Sequence, residues 1–572
     1  MKQLIKGLVL PAVLCLPACH HAPEAAPIAA TPAALHAQSA EFKREILNPA
    51  DGVYVAIGYG IANSILLVGD DGVIVVDTTE TAESAREVLA AFRKITDKPV
   101  KAIVYTHSHP DHIGGAAVFA AGRDVPVYAQ RELVANMQRT SIELQTAITR
   151  RSQRMYGMPL PADQVINVGI GPFVDMHADS TVDTLPPTRV FDEQLEDTVA
   201  GIHFRLVHAP GETGDQLFMW LPERHIVLSG DNFYRAFPNL YTIRGTSYRD
   251  PRAWADSIDK LRALHAEVLV PSHTRPLVGA DRIEAALTDY RDAIRYVYDQ
   301  TIRLINQGRT PDEIAATLRL PAHLASSPYL QTFYGNVPWS AREIYSGLLG
   351  WYDGDPASLQ PLAPDDTARH MIALAGGIDA LAKQITDAES RGEHQWVLQL
   401  SGYALRVVPD RDDVRKARIA ALRALGAAES NPNARHWYQV SAGELAGEYK
   451  LPARVVKPTP AMLARMPLAR FFDGMAVNLD PQASGDETLK VGFEFTDVPE
   501  RYTYIVRQGA SEVVPAITDD ADIVVRVSAQ TFKEMLAQLR NPALTIASDF
   551  TVVKGSKLGF VRFMRWFVPD AS

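Results

Sequence analysis

Thr106-His107-Ser108-His109-Pro110-Asp111-His112-Ile113-Gly114-Gly115 follows directly on the apolar run Lys101 to Tyr105. Three imidazoles and one carboxylate fall within the six residues 107–112. The preceding run reads as a buried strand, and the glycine pair as the place where a following helix approaches closely. Core histidines do not cluster this way, whereas neutral imidazole is a good ligand for zinc. In an extended segment the side chains at 107 and 109 point to one side, and beyond the turn 111 and 112 can face a second ion. The decapeptide therefore predicts a metal centre on a turn between strand and helix.

Upstream, Ile65 to Val68, the turn Gly69-Asp70-Asp71-Gly72 and Val73 to Val76 read as a hairpin of buried strands, and Glu80 to Ile95 has helical spacing. Downstream, Ile202 to Val207, Ile226 to Leu228 and Val268 to Val270 read as strands. Each of these three, like Lys101 to Tyr105, ends within five residues of a potential ligand. Glu212 stands in His208-Ala209-Pro210-Gly211-Glu212-Thr213-Gly214-Asp215, Asp231 in Ser229-Gly230-Asp231-Asn232, and His273 in Pro271-Ser272-His273-Thr274. These three complete two coordination spheres. Asp77, on the early strand, reads as the partner that orients a ligating histidine. His208, on an apolar strand, reads as structural.

At 572 residues the chain is too long for a single core. Hydrophobic residues make up 47% and charged residues 22%, the balance of a soluble globular protein, which excludes collagen-like, low-complexity and multi-span membrane classes. Lys and Arg total 57 against 67 Asp and Glu, a net charge of -10, so no general positive field exists to attract nucleic acid. The two cysteines, Cys15 and Cys19, both lie at the N-terminus, which leaves no internal disulfide framework. Lys2 and Lys6 followed by apolar Gly7 to Ala18 predict an export signal over 1–18. Leu16-Pro17-Ala18-Cys19 is similar to a bacterial lipobox, in which Cys19 would be lipidated. A tether over 19–44, rich in Ala and Pro, is expected next, in a periplasmic or outer-membrane-anchored bacterial protein. From Ile283 to about Trp351, and again from Ala373 to Leu425, apolar residues step by three and four, as in packed helices. Beyond the proline-rich Leu451 to Pro460, three strand-like runs flanked by helical stretches predict a small α+β domain.

The four ligand segments, in this order and with Asp77 on the early strand, resemble the metallo-β-lactamase superfamily. That implies an αββα sandwich over 45–282 with a dinuclear site along one edge. By the same resemblance His107, His109 and Glu212 hold the first of two divalent ions, Asp111, His112 and His273 the second, and Asp231 bridges and orients the attacking water. Most of that superfamily has His where Glu212 stands, and a carboxylate there is similar to the alkylsulfatase branch. Those relatives use Glu where this chain has Asp231. Asn239-Leu240-Tyr241-Thr242-Ile243-Arg244-Gly245 resembles the alkylsulfatase segment whose Arg meets the sulfate, which makes Arg244, with Asn239 and Tyr241, the substrate-binding candidates. A planar guanidinium suits a sulfate ester because it donates two parallel hydrogen bonds. Arg235, Arg249 and Arg275 are further candidate cations for the pocket.

Tyr334-Gly335-Asn336 and Gly350 to Pro356 resemble the alkylsulfatase dimerisation region, so residues 283–430 are expected to form a helical dimerisation domain and the protein a homodimer. Many relatives carry Ser-His-Asn where this chain has Pro338-Trp339-Ser340. Ala469 to Met475 opens a segment, 455–572, that resembles the sterol-carrier-type C-terminal domain of the same family. The resemblance implies hydrolysis of alkyl sulfate esters to alcohol and inorganic sulfate. Zinc is the default metal, and the carboxylates at 111, 212 and 231 make manganese or iron acceptable. Two alternatives remain open at this level. One is another hydrolase of the same fold, a lactonase, phosphodiesterase, thioesterase or β-lactamase, because the fold does not choose the ester. The other is an exported lipid- or detergent-binding protein.

Overall fold

The computed structural model describes residues 32–138 and 143–567. The segment expected to be an export signal, and Cys19, lie outside the described residues. Two sheets face each other. The first has seven strands, Glu45–Ala50, Val53–Ile57, Ser64–Val68, Val73–Val76, Val100–Val104, Val127–Gln130 and Arg189–Phe191, side by side in chain order. The second runs, in space, Leu277–Val278, Val268–Pro271, Ile226–Gly230, Leu217–Leu221, Ile202–His208 and Gln194–Val199.

The period-two alternation of strand side chains decides what each face meets. Ile65, Leu67, Ile74, Val76, Ala102 and Val104 point inward onto Phe204, Leu206, Met219 and Leu228 of the second sheet. Their neighbours Leu66, Val73, Val75 and Ile103 point outward and pack with Val88 and Phe92 of the helix Ala82–Phe92. On the far side Phe218, Trp220, Val227 and Leu269 pack against Trp254, Ile258 and Leu261 of the helix Pro251–Arg262. Strands covered on both faces carry continuous apolar runs, and helix, sheet, sheet and helix form the four layers expected from the sequence.

The helix Ala280–Ile305 also packs on the sandwich: Ile283, Leu287, Tyr290, Ile294 and Val297 share one core with Trp254 and Phe233. That core continues to Tyr334, Ile344 and Tyr345. An expected domain boundary at 282/283 thus falls inside a helix that belongs to the sandwich's outer layer. The independent helical core begins later, with Leu381, Ile385, Val397, Leu400 and Val414.

The tether expectation is corrected for its described part. Residues Pro32–Gln38 form a helix and Ser39–Phe42 a 3-10 turn. Leu35 is fully buried in the sandwich's outer core, its carbonyl accepts from Asn167 Nδ2 at 3.1 Å, and Gln38 Nε2 donates to Gly169 O at 2.7 Å. One apolar side chain per turn anchors this segment, too sparse a pattern to outweigh its Ala/Pro composition in the sequence.

The C-terminal part is a five-stranded sheet in the order Ala510–Val514, Arg501–Arg507, Thr488–Phe495, Ile523–Val527, Thr551–Lys554, with helices on it. Its core is a stack of aromatic rings, with Phe472, Phe493, Phe532, Phe560 and Phe563 all buried. It is stitched to the sandwich through Lys457–Pro458, which pairs in parallel with Thr181–Val182.

Candidate metal centre

All the candidate donors stand just past the carboxyl ends of strands, along one edge of the sandwich. This is where open sheets with parallel strands offer backbone free of further pairing. Val73–Val76 runs parallel to Val100–Val104, and Ile226–Gly230 parallel to Val268–Pro271. His109 is still extended (φ -66°, ψ 143°), and Pro110 then opens the short helix Pro110–Ile113. Proline is suited to a first helical position because its missing N–H has no partner there anyway. The change from extended to helical backbone swings Asp111 and His112 round beside His107 and His109. Gly114 permits it, since a Cβ there would meet Glu80 O at 2.1 Å. Gly230, at φ 57°, turns Asp231 under the same cluster.

The structure brings together all seven residues named from the sequence. Donor atoms fall into three overlapping sets: His109, Glu212 and Asp231; His107, His112 and Asp231; Asp111, His112 and His273. Asp231 Oδ2 is 3.7 Å from His107 Nε2, 3.6 Å from His112 Nε2 and 3.1 Å from His273 Nε2. Asp111 Oδ2 lies 3.3 Å from His112 Nε2 and 3.5 Å from His273 Nε2. Glu212 Oε2 lies 3.7 Å from His109 Nδ1, which in turn is 2.8 Å from His107 Nε2.

His112 and His273 are oriented from behind. Asp77, at φ 58°, accepts from His112 Nδ1 at 2.7 Å, Ser272 Oγ at 2.6 Å and both the N–H and hydroxyl of Thr106 at 2.9 Å. His273 Nδ1 donates to Ile61 O at 2.8 Å. Both rings therefore turn Nε2 into the cluster. His112 Nε2, His273 Nε2 and Asp231 Oδ1 are buried and have no well-directed hydrogen bond. Unsatisfied buried polar atoms are rare and costly, and imidazole nitrogens interleaved with carboxylate oxygens form the donor set of a divalent cation. The residues fit a metal.

The electrostatics agree. Burial opposes a charge on His273, yet the Asp231 and Asp111 carboxylates raise it to about 9. Burial likewise opposes charge on His112, which Asp111, Asp77 and Asp231 nonetheless push well above its usual range. His107, with burial and the adjacent His112 acting together, falls to about 4. The carboxylates thus recruit protons where cations would otherwise sit, and cation uptake is coupled to proton release. Asp77→Asn keeps the shape of the side chain but weakens the acceptor behind His112. The expected result is a metal affinity lower by about 10- to 100-fold, read by competition with a chromogenic chelator.

Arg244 enters from the segment between Asp231 and the helix Pro251–Arg262. It is 8% exposed, and its Nη2 donates to His109 Nε2 at 3.1 Å. The guanidinium of Arg151, on the helix Gln145–Tyr156, grips this segment from behind, donating to Arg244 O at 2.8 Å and Ile243 O at 2.6 Å. The Tyr156 and Tyr334 hydroxyls lie 3.2 Å apart beside the Arg244 guanidinium. Asn239 is fully buried with both amide atoms unpartnered, whereas Tyr241 is half-buried and makes no hydrogen bond to the cluster among the described residues.

The other arginines are not pocket cations. Arg235 pairs with Glu41, Arg275 with Glu45 at 2.5 Å, and Arg249 is buried against Glu212. His208 stays outside the cluster, its Nε2 2.7 Å from Gly214 O. Sequence reasoning did not find Tyr156, Tyr234 or Arg151, whose apolar or charged neighbours give no sign of the site they reach. It also missed Glu80, fully buried with Oε1 accepting from Ile61 N–H and Asp175 N–H and pushed by burial to about 7.

A two-sheet sandwich carrying this donor edge defines a protein of the metallo-β-lactamase class, and the sequence model of the metallo-beta-lactamase superfamily matches residues 57–273. Two further family models match, alkyl sulfatase dimerisation over 310–448 and alkyl sulfatase C-terminal over 457–570. A linear primary-alkylsulfatase of Pseudomonas sp. (strain ATCC 19151) is 38% identical over 514 residues, 87% of this chain and 95% of that protein. An (R)-specific secondary-alkylsulfatase of Pseudomonas sp is 30% identical over 500 residues, 85% of this chain and 75% of that one. The solved stereoselective inverting sec-alkylsulfatase Pisa1 from Pseudomonas sp. superposes with a TM-score of 0.84 at 27% identity, covering 92% of this chain and 85% of that one. The chain belongs to the alkylsulfatase family.

Proposed function

We propose that this protein is a dinuclear metal-dependent hydrolase that converts linear alkyl sulfate esters to alcohol and inorganic sulfate. The observation that carries the reading is Arg244. A permanently charged, nearly buried guanidinium stands 3.1 Å from His109 at the rim of a seven-residue donor cluster, where an anionic ester would meet it. Similarity to a primary alkylsulfatase over 87% of this chain and 95% of that one supports the same substrate class.

In this reading His107, His109 and Glu212 would hold one cation and Asp111, His112 and His273 the other, with Asp231 within reach of both groups of donors. Zinc suits a donor set rich in imidazole. When bound, the two cations supply Lewis-acid activation of water near neutral pH. Asp231, held as an anion by His273, His112 and His107, would orient that water by accepting a hydrogen bond from it. Arg244 holds two sulfate oxygens and offsets the charge that grows on them. Asp77 and Ile61 O keep His112 and His273 aimed. Tyr156 and Tyr334, beside Arg244, are kept protonated by burial, Tyr334 well above its ordinary range, and serve as hydrogen-bond donors.

Arg244 can neutralise a departing sulfate but cannot protonate a departing alkoxide, and the neighbouring Tyr156 and Tyr334 hydroxyls, made less acidic by burial, are poor proton donors to one. This favours breaking the carbon–oxygen bond, with sulfate as a weakly basic leaving group that needs no general acid. The solved relative is described as inverting, and inversion is a property of a carbon centre. In isotopically labelled water the label is expected in the alcohol. Tested against dodecyl sulfate, a phosphate diester, a lactone and a β-lactam, the protein is expected to turn over the sulfate ester alone, with turnover abolished by chelator. Equal turnover of the lactone or phosphate ester would overturn the assignment.

A homodimer is part of the reading. Six large apolar side chains, Leu348, Leu349, Trp351, Leu359, Leu362 and Leu374, are exposed within one stretch matched by the dimerisation model. Such density on a surface marks an interaction site. Export, lipidation of Cys19, and a sterol-carrier-like C-terminal domain that receives the alkyl chain belong to the same proposal. Their support is the Lys2/Lys6 n-region with its apolar run, and the exposed Leu544 and Leu558 of the C-terminal domain.

A further inference from the structure

The two oxygens of Glu212 face different partners. Oε2 looks into the cluster, toward His109 Nδ1. Oε1 is turned away and accepts from the Tyr234 hydroxyl at 2.7 Å, with Arg249 Nη1 at 3.1 Å. Glu212, Tyr234 and Arg249 are each no more than 2% exposed. The Tyr234 hydroxyl accepts from Asn239 N–H at 2.8 Å, and Arg249 Nη1 donates to Asn239 O. The remaining Arg249 nitrogens, Nε and Nη2, are buried without a hydrogen-bond partner. A cation so enclosed is tolerable only if a buried anion needs it. Half-buried Glu343 also feels Arg249, but the anion in contact is Glu212.

We propose that Arg249 is a positioning residue for the metal centre. It balances the extra negative charge that a carboxylate brings to position 212. With Tyr234 it also occupies Oε1, so that Glu212 offers a cation one oxygen, Oε2, and a coordination position stays open for water. Because Arg249 and Tyr234 both also hold the Asn239 backbone, the same contacts tie the metal cluster to the segment that carries Arg244. The proposal rests on Glu212 being a ligand.

The test is metal content by plasma mass spectrometry after dialysis against a graded chelator, with thermal melting as the check on folding. Glu212→Ala is expected to lose one of two equivalents. Arg249→Leu is expected to bind that same equivalent about 10- to 100-fold more weakly and to keep the other, and Arg249→Lys to lose less than Arg249→Leu. Glu212→His, an ordinary metal ligand left beside an unpaired buried cation, is expected to bind poorly. Glu212→His with Arg249→Leu is expected to regain the equivalent. The double variant carries the test even if Arg249→Leu alone does not fold. If Arg249→Leu keeps both equivalents at wild-type affinity while Glu212→Ala loses one, or if the double variant is no better than Glu212→His, the role of Arg249 is overturned. If Glu212→Ala keeps both, the ligand reading falls and the proposal with it.

Discussion

Asp231→Ala is expected to hydrolyse dodecyl sulfate about 1000-fold more slowly or worse, on the order of 4 kcal/mol of lost transition-state stabilisation, and to lose cations from both sides of the cluster. The magnitude follows from position. Asp231 Oδ2 is within 3.7 Å of three imidazole nitrogens drawn from both halves of the cluster, so its removal is felt by every donor set but one. Burial opposes its charge, but His273, His112 and His107 hold the carboxyl well below its ordinary range, so it is an anion whenever the site is competent. The fold should survive, because deleting an anion from among imidazoles leaves groups that can become neutral. Asp231→Glu, the residue type that the resemblance to alkylsulfatases implies at this place, is expected to bind both cations. Steady-state kinetics with metal analysis on the three proteins checks this.

Arg244→Ala is expected to lower kcat/KM by about 100- to 1000-fold with metal content unchanged. The guanidinium stands at the rim of the cluster and in none of the donor sets, so with metal supplied in excess kinetics and metal content separate. Arg244→Lys should recover only a fraction, because a single ammonium cannot reproduce two parallel bonds to two sulfate oxygens. Arg151 holds the backbone of the same segment by two carbonyls, so the loop should stay in place in both variants.

Much of the site was legible because ligands at strand ends are a local signal. Residues 106–115 carry four donors in one turn, and Glu212, Asp231 and His273 each follow a short apolar run that could only be a buried strand. The continuous apolar runs Ile65 to Val68 and Val73 to Val76, buried on both faces, made the strands of the sandwich legible too. What escaped was tertiary. Tyr156 lies on a polar helix, and only folding brings it to Arg244 and Tyr334, 178 residues further along the chain. Arg249 was one of three candidate cations with nothing to separate them, since nothing in a polar loop tells which arginine will be buried against a carboxylate 37 positions earlier. The stripe in Ile283 to Ile305 looks the same whichever body it packs on, so its packing against the sandwich could not be read from the sequence. Leu35, an isolated apolar residue in an Ala/Pro stretch, gave no periodicity to read.

The structure explains the carboxylate at 212, where most of the wider superfamily has His, better than it explains Pro338-Trp339-Ser340, where many alkylsulfatases have Ser-His-Asn. Glu212 has its charge partner in Arg249. Pro338 and Trp339 begin the helix Val337–Leu349, where Asn336 caps by accepting from Trp339 N–H at 2.9 Å. No feature of the cluster accounts for the exchange of Ser-His-Asn there.

The most direct measurement is sulfate release from dodecyl sulfate by the metal-stripped protein as zinc is returned in fractions of an equivalent. The account predicts no release at zero, a rise that is complete at two equivalents per chain, and a return to zero with chelator. Full release by the stripped protein, or full binding of two equivalents with no sulfate released, would contradict it.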